Sequence, residues 1–67
     1  MSPKRFAVRL KTIRDGKGMT QATLAKKAGV SRAYLSRLEM GLHDPPLSRL
    51  RKLAAALGVS VAALLKE

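Results

Sequence analysis

The sequence predicts an all-α fold, with one small domain of five short helices. Apolar residues recur three or four positions apart through most of the chain, as they do on the buried face of an amphipathic helix. No segment alternates β-branched and polar residues as a half-buried strand does. The length of 67 residues is sufficient for one domain only. We therefore expect a single domain over 1–67, with helices near 3–15, 20–28, 31–40, 47–57 and 60–66.

The first two helices are delimited by typical capping residues. Ser2 and Pro3 form an N-cap and first-turn pair, and Gly16 is placed to close the first helix in a left-handed conformation. Thr20 is the expected N-cap of the second helix, because a threonine hydroxyl accepts a hydrogen bond from the first helical turn. Gly29 is expected to end that helix.

The other three helices follow the same pattern. Ser31 is the expected cap of the third helix, and Gly41 is expected to end it. The segment 42–46 contains two consecutive prolines. A residue before proline is pushed out of the α region, so we expect a loop there. Gly58 then ends the fourth helix, and Ser60 caps the fifth.

The strong positive charge indicates a polyanionic partner. Fourteen Lys and Arg residues stand against four Asp and Glu, for a formal net charge of +10, which creates a strong field around so small a body. Charge by itself favours nucleic acid only modestly over an acidic membrane or an acidic protein. There is no cysteine, and the one histidine, His43, cannot build a metal centre unaided. We expect no metal, no cofactor, no small-molecule substrate and no enzymatic activity.

The sequence carries no recognisable export or membrane signal. Arg9 and Lys11 fall where a signal peptide needs its apolar core. The nearly uncharged run over 53–65 is shorter than the roughly 20 residues that a spanning helix needs, so we expect it to be part of the core. A cytoplasmic protein, associated with the nucleoid and without a membrane partner, is the expectation.

The joint between the second and third helices points to a mechanism. The segment 28–31, Ala-Gly-Val-Ser, must turn the chain within a few residues, with a glycine after the helix and an apolar valine in the angle. A helix-turn-helix motif has such a joint, but an ordinary helical corner has the same spacing. The exposed face of the third helix separates the two interpretations. At about 100° per residue, that face combines two arginines with small side chains: Arg32, Ala33, Ser36 and Arg37.

A helix face of this composition suits the major groove of DNA. The guanidinium group of Arg32 or Arg37 can donate two hydrogen bonds to O6 and N7 of guanine. The small Ala33 can approach a base edge or a thymine methyl group without a clash. For either arginine taken alone, a solvated side chain is the alternative.

Four short motifs resemble the phage repressor and Cro-like (XRE) helix-turn-helix family. They are Thr-Gln, Ala-Gly-Val-Ser and Leu-Glu-x-Gly within 20–41, and Ala-Leu-Gly-Val-Ser within 53–60. The resemblance implies a five-helix, lambda-repressor-like DNA-binding domain whose second and third helices form the helix-turn-helix. It further implies a transcriptional regulator, repressor-like, that binds double-stranded DNA sequence-specifically. Members of this family commonly bind as a homodimer on a palindromic site.

The resemblance also assigns roles to individual residues. Arg14 and Glu39 occupy the positions of a partly buried ion pair between the first and third helices. The residues placed to read base edges are Arg32, Ala33, Ser36 and Arg37. The residues placed to contact DNA phosphates are Thr20, Gln21, Ser31 and Tyr34. Three of these assignments have an alternative: Tyr34 is equally consistent with the rim of the core, Gln21 with a simple helix start, and Glu39 with a surface carboxylate.

Three other functions fit part of the sequence. A protein-interaction module such as an antitoxin would use Val61, Ala62 and Leu65 on the last helix, although these residues can equally complete the core. A cationic membrane-active peptide is disfavoured because five separately capped helices indicate a globular core. RNA is disfavoured because Phe6 and Tyr34 are the only aromatic residues, too few for a stacking platform.

Overall fold

The chain folds into α-helices joined by short turns. The computed structural model describes residues 2–66, so the two ends of the predicted domain, Met1 and Glu67, lie outside the described residues. Within residues 2–66 there is no β-strand, and no helix is long and apolar enough to cross a lipid bilayer. The all-α fold predicted from the sequence is confirmed. The helices are α1 Pro3–Gly16, α2 Gln21–Ala28, α3 Arg32–Glu39, α4 Leu47–Leu57 and α5 Val61–Leu65.

Hydroxyl side chains cap four of the helices. In each case the side-chain oxygen accepts a hydrogen bond from the backbone N–H three residues later, at 3.0–3.2 Å. Each bond satisfies a donor that the helix itself leaves unpaired and contributes about 0.5–2 kcal/mol. α4 is different, because its N-cap is Pro46, which makes no side-chain hydrogen bond. The four capping residues are Ser2, Thr20, Ser31 and Ser60, as the sequence predicts.

The end of α1 differs from the prediction. The sequence places a left-handed residue at Gly16, but Gly16 is still helical, and the positive φ of 69° lies at Gly18. The reason is that the N–H of Lys17 donates to the carbonyl oxygen of Ile13 at 3.0 Å. This bond continues the helical hydrogen-bond ladder past Gly16, so the reversal of the chain falls after the ladder has ended.

A single hydrophobic core holds α3 in place. α3 packs on α1 and α2, α2 packs on α4, and α5 packs on α1 and α4. Burying each large apolar side chain contributes roughly 1.5–3 kcal/mol. The core therefore fixes the orientation of α3, and with it the side chains that α3 exposes. The largest fully buried side chains are Phe6, Leu10, Leu24, Leu35, Leu38, Leu53 and Leu64.

Candidate nucleic-acid interface

The turn between α2 and α3 is held by backbone hydrogen bonds. Gly29 has a φ of 70°, which glycine adopts without steric cost. The N–H of Val30 donates to the carbonyl oxygen of Ala25 at 3.0 Å, and that of Gly29 donates to Lys26 at 3.3 Å. The side chain of Val30 packs against the core from within the turn. These contacts fix the angle between the two helices, as a helix-turn-helix motif requires.

α3 turns toward solvent the residues predicted to read base edges. Arg32, Ala33 and Arg37 are exposed, and Ser36 is partly exposed. The opposite face of the helix is anchored by two fully buried leucines. In the part of the chain that the structure describes, no ion pair or hydrogen bond engages the side chain of Arg32 or Arg37. Both guanidinium groups are therefore available to a ligand.

Three of the residues predicted to contact phosphates lie at helix N-termini. Thr20 and Ser31 are the N-caps of α2 and α3, and Gln21 is the first residue of α2. The first N–H groups of a helix have no internal partner and favour an anion. The hydroxyl of Thr20 accepts from the N–H of Thr23 at 3.0 Å and donates to the Thr23 hydroxyl at 2.9 Å. Because that hydroxyl proton is already engaged, the backbone N–H groups are the readier donors at this helix end.

Arg14 and Glu39 form a bidentate ion pair between α1 and α3. Arg14 Nε donates to Glu39 Oε2 at 2.7 Å, and Nη2 donates to Oε1 at 2.9 Å. A third donor of the same guanidinium group, Nη1, reaches the carbonyl oxygen of Met19 at 2.7 Å. The side chains are 9% and 4% exposed. The hydrogen bond to Glu39 raises the pKa of Arg14 above its ordinary value, against burial, which lowers it.

The same carboxylate also binds the side chain of Gln21. Gln21 Nε2 donates to Glu39 Oε1 at 3.1 Å, so one of its two amide hydrogens is occupied within the protein. The ion pair and this hydrogen bond together connect α1, α2 and α3. Glu39 therefore orients the first residue of α2 as well as pairing with Arg14. The second amide hydrogen of Gln21 is left for a ligand.

The phosphate contact predicted for Tyr34 does not fit the structure. Its hydroxyl oxygen is buried and has no hydrogen-bond partner among the described residues. The guanidinium carbon of Arg49 lies over the aromatic ring, 4.4 Å from its centroid. A hydroxyl oxygen that is buried in this structure is not exposed to a phosphate. Of the two interpretations that the sequence allowed, the structure favours Tyr34 at the rim of the core, where it packs against the apolar cluster.

Sequence reasoning missed two basic residues beside this tyrosine. A groove of about 400 Å³ separates the α2–α3 turn from α4, and it is lined by Arg37 from α3 and by Arg49 and Lys52 from α4. The signal was present in the sequence, because residues three apart share one helix face. The whole of α4 also lacks an acidic residue that could neutralise them.

A five-helix fold with a rigid α2–α3 turn and an exposed basic α3 is the architecture of a helix-turn-helix domain. Residues 10–64 match the family model described as helix-turn-helix, and the chain belongs to that family. The resemblance to the phage repressor and Cro-like (XRE) type is thereby confirmed.

Relatives of known role share this region. The chain is 44% identical over 59 residues to the immunity repressor protein of Bacillus phage phi105, a match that covers 88% of this chain and 41% of the repressor. It is 45% identical over 60 residues to the transcriptional regulator SinR of Bacillus subtilis, covering 88% of this chain and 54% of SinR. The chain thus spans about half the length of the curated relatives that it matches.

Solved structures confirm the lambda-repressor-like fold. The restriction-modification controller protein C.AhdI from Aeromonas hydrophila superposes with a TM-score of 0.90 at 35% identity, covering 92% of this chain and 94% of that one. The crystal structure of SinR, the master regulator for biofilm formation, in complex with DNA superposes with a TM-score of 0.86 at 42% identity. This match covers 91% of this chain and 98% of that one.

Proposed function

We propose that this chain binds double-stranded DNA sequence-specifically, with α3 in the major groove, and that it regulates transcription in the manner of a repressor. The observation that carries this proposal is the exposed face of α3, where two arginines that have no ion pair or hydrogen-bond partner within residues 2–66 flank small side chains. The major groove is about 12 Å wide and admits an α-helix. The relatedness to a phage repressor and to a regulator crystallised with DNA supports the same conclusion.

Within this proposal, the residues of α3 read the bases. Arg32 and Arg37 each donate to a guanine edge, since guanidinium geometry matches the O6 and N7 acceptors. Ala33 and Ser36 lie between them on the helix face, where a methyl group suits thymine and a hydroxyl can donate or accept. Small residues at these two positions let the helix backbone approach the base pairs closely.

Phosphate contacts then fix the domain on the duplex. The N-termini of α2 and α3 offer backbone N–H groups at Thr20, Gln21 and Ser31, where partial positive charge favours a phosphate. The free amide hydrogen of Gln21 adds a donor whose position is set by Glu39. Such contacts set register and orientation and carry no direct sequence information. Arg14 and Glu39 have a structural role in this scheme, without touching DNA.

We further propose a two-fold homodimer on a palindromic operator. Two copies of so small a domain would place two α3 helices in successive major grooves, about 34–36 Å apart. A net charge of +10 makes the copies repel one another, so neutralisation by DNA favours pairing on the site over pairing in solution. Binding to chromosomal DNA would place the protein on the nucleoid of the cytoplasm.

Selection of bound sequences from a randomised duplex pool tests the proposal. The expected result is one enriched motif that contains guanines and is repeated with two-fold symmetry at a spacing of about one helical turn. Recovery of no motif, or equal retention of single-stranded competitors, would contradict it. Under the antitoxin alternative, the parent protein would bind no duplex DNA. Leu65→Glu would then abolish its binding to a protein partner. The family match supports DNA binding and not that alternative.

A further inference from the structure

The groove between α3 and α4 concentrates positive charge, and its two cations from α4 have no role in the proposed function. Arg37 and the α4 residues Arg49 and Lys52 all line it. No ion pair in the part of the chain that the structure describes engages any of these three side chains. Unneutralised cations so close together repel one another. An anion in the groove would relieve that repulsion.

Arg49 is held in a defined position by the aromatic ring of Tyr34. The guanidinium carbon lies 4.4 Å from the ring centroid, a distance at which the ring quadrupole attracts a cation. Stacking on one face leaves the N–H groups at the guanidinium edge free to donate. A side chain that is already ordered loses less conformational entropy when it binds a ligand. Tyr34 is thus a positioning residue for Arg49.

We propose that this groove binds one phosphodiester of the DNA backbone, with Arg49 as its main ligand and Lys52 as a second cation. This inference rests on the proposed function, because it requires α3 to enter the major groove. A helix in that groove is flanked by the sugar-phosphate backbones, and the groove opens beside the first turn of α3. Arg49 would donate two charge-assisted hydrogen bonds to the non-bridging oxygens, and Lys52 would add a point charge.

Alanine substitutions test the charge contribution. Arg49→Ala should weaken binding to the selected duplex by about tenfold to a hundredfold, because it removes two charge-assisted hydrogen bonds and each contributes about tenfold or more. It should also reduce the slope of log affinity against log salt concentration by the amount expected for about one phosphate contact, without changing the preferred sequence. Arg51→Ala is the matched control, since Arg51 is an exposed α4 residue that does not line the groove. Equal losses in the two variants would mean that only net charge matters, and the site would be refuted.

Neutral backbone substitution locates the phosphate. In a series of operator duplexes, a neutral methylphosphonate replaces one phosphate at a time. At one position this replacement should lower the affinity of the parent protein and leave the affinity of Arg49→Ala unchanged. If Arg49→Ala adds the same loss at every position, no single phosphate is bound and the proposal is wrong. Inorganic phosphate is the other possible source of the anion. Saturable phosphate binding abolished by Arg49→Ala, with duplex affinity unchanged in that variant, would also overturn the assignment to DNA.

Substitutions at Tyr34 test the positioning role. Tyr34→Leu removes the aromatic ring and should reduce affinity and salt dependence as Arg49→Ala does, whereas Tyr34→Phe keeps the ring and should restore both. A loss of affinity in Tyr34→Phe equal to that in Tyr34→Leu would show that the ring alone does not position Arg49, and would contradict the proposal. Thermal unfolding of each variant shows whether it is folded in the assay. A parent protein that binds no duplex would instead refute the proposed function itself, which separates the two failures.

Discussion

Removing the carboxylate of Glu39 is expected to destabilise the fold strongly. Glu39→Ala deletes the acceptor of two hydrogen bonds from Arg14 and one from Gln21. Because the Arg14 side chain is only 9% exposed, its charge would be left without a partner in a site that water barely reaches. Breaking a buried pair in this way costs about 3–5 kcal/mol. For a domain of this size each kcal/mol shifts the melting temperature by about 4–8 °C, so the expected loss is on the order of 15 °C or more.

Asp15→Ala provides the matched control. Asp15 also contacts Arg14, at 3.2 Å, but its side chain is 59% exposed, and exposed pairs contribute about 1 kcal/mol or less. Thermal and urea unfolding followed by circular dichroism measures both variants. Since the folded-state pKa of Arg14 is raised, the stabilisation linked to its titration is present below the ordinary arginine pKa and is lost as the pH rises through the raised value. If Glu39→Ala melts close to Asp15→Ala and only DNA affinity changes, the structural role assigned to the pair is wrong.

Three further predictions concern the turn, the caps and the charge. Gly29→Ala should lower the free energy of unfolding by about 1–2 kcal/mol, because an added Cβ meets no atom within 4 Å and only the left-handed φ of 70° is unfavourable. An unchanged urea midpoint would show that the turn relaxes. Ser31→Ala removes the bond to the N–H of Tyr34 and should cost about 1 kcal/mol, whereas Ser48→Ala, on exposed α4 surface, should unfold like the parent. Duplex affinity should fall steeply as salt rises, and salt-independent binding would contradict a phosphate-based interface.

The fold was predictable from the sequence because its signals are local. A hydroxyl cap acts on an N–H three residues away, so Thr20 and Ser31 identify their helices without knowledge of the rest of the chain. Gly16 shows the limit of such reasoning. Gly16 and Gly18 lie two residues apart at the end of α1, and which of them adopts the left-handed conformation depends on where the helical hydrogen-bond ladder stops, which neighbouring residues do not specify.

The candidate site was less predictable because it depends on packing between distant segments. Arg14 and Glu39 are 25 residues apart, and only the family resemblance paired them. The hydrogen bond from Gln21 to Glu39 depends on how the start of α2 meets the end of α3. Likewise, the burial of the Tyr34 hydroxyl and the stacking of Arg49 on its ring depend on tertiary packing, so the sequence left its role open between phosphate ligand and core rim.

Residues that read bases and residues that hold phosphates should affect binding differently. Arg32→Ala and Arg37→Ala should each cost about 1–3 kcal/mol on the best site and relax the preference at one base pair, expected to be a guanine. Gln21→Ala should weaken good and poor sites by similar factors, since a phosphate ligand carries no direct sequence information. Lys26→Ala and Lys27→Ala should reduce salt dependence without altering which sequence is preferred.

The most direct test of DNA reading by α3 is a binding profile over all single-base variants of the selected operator, measured for the parent and for these variants. A loss of discrimination confined to one base pair in Arg32→Ala, and to another in Arg37→Ala, is the predicted result. If both arginine variants merely scale the whole profile, as Gln21→Ala is expected to do, α3 does not read the sequence and the central claim is contradicted.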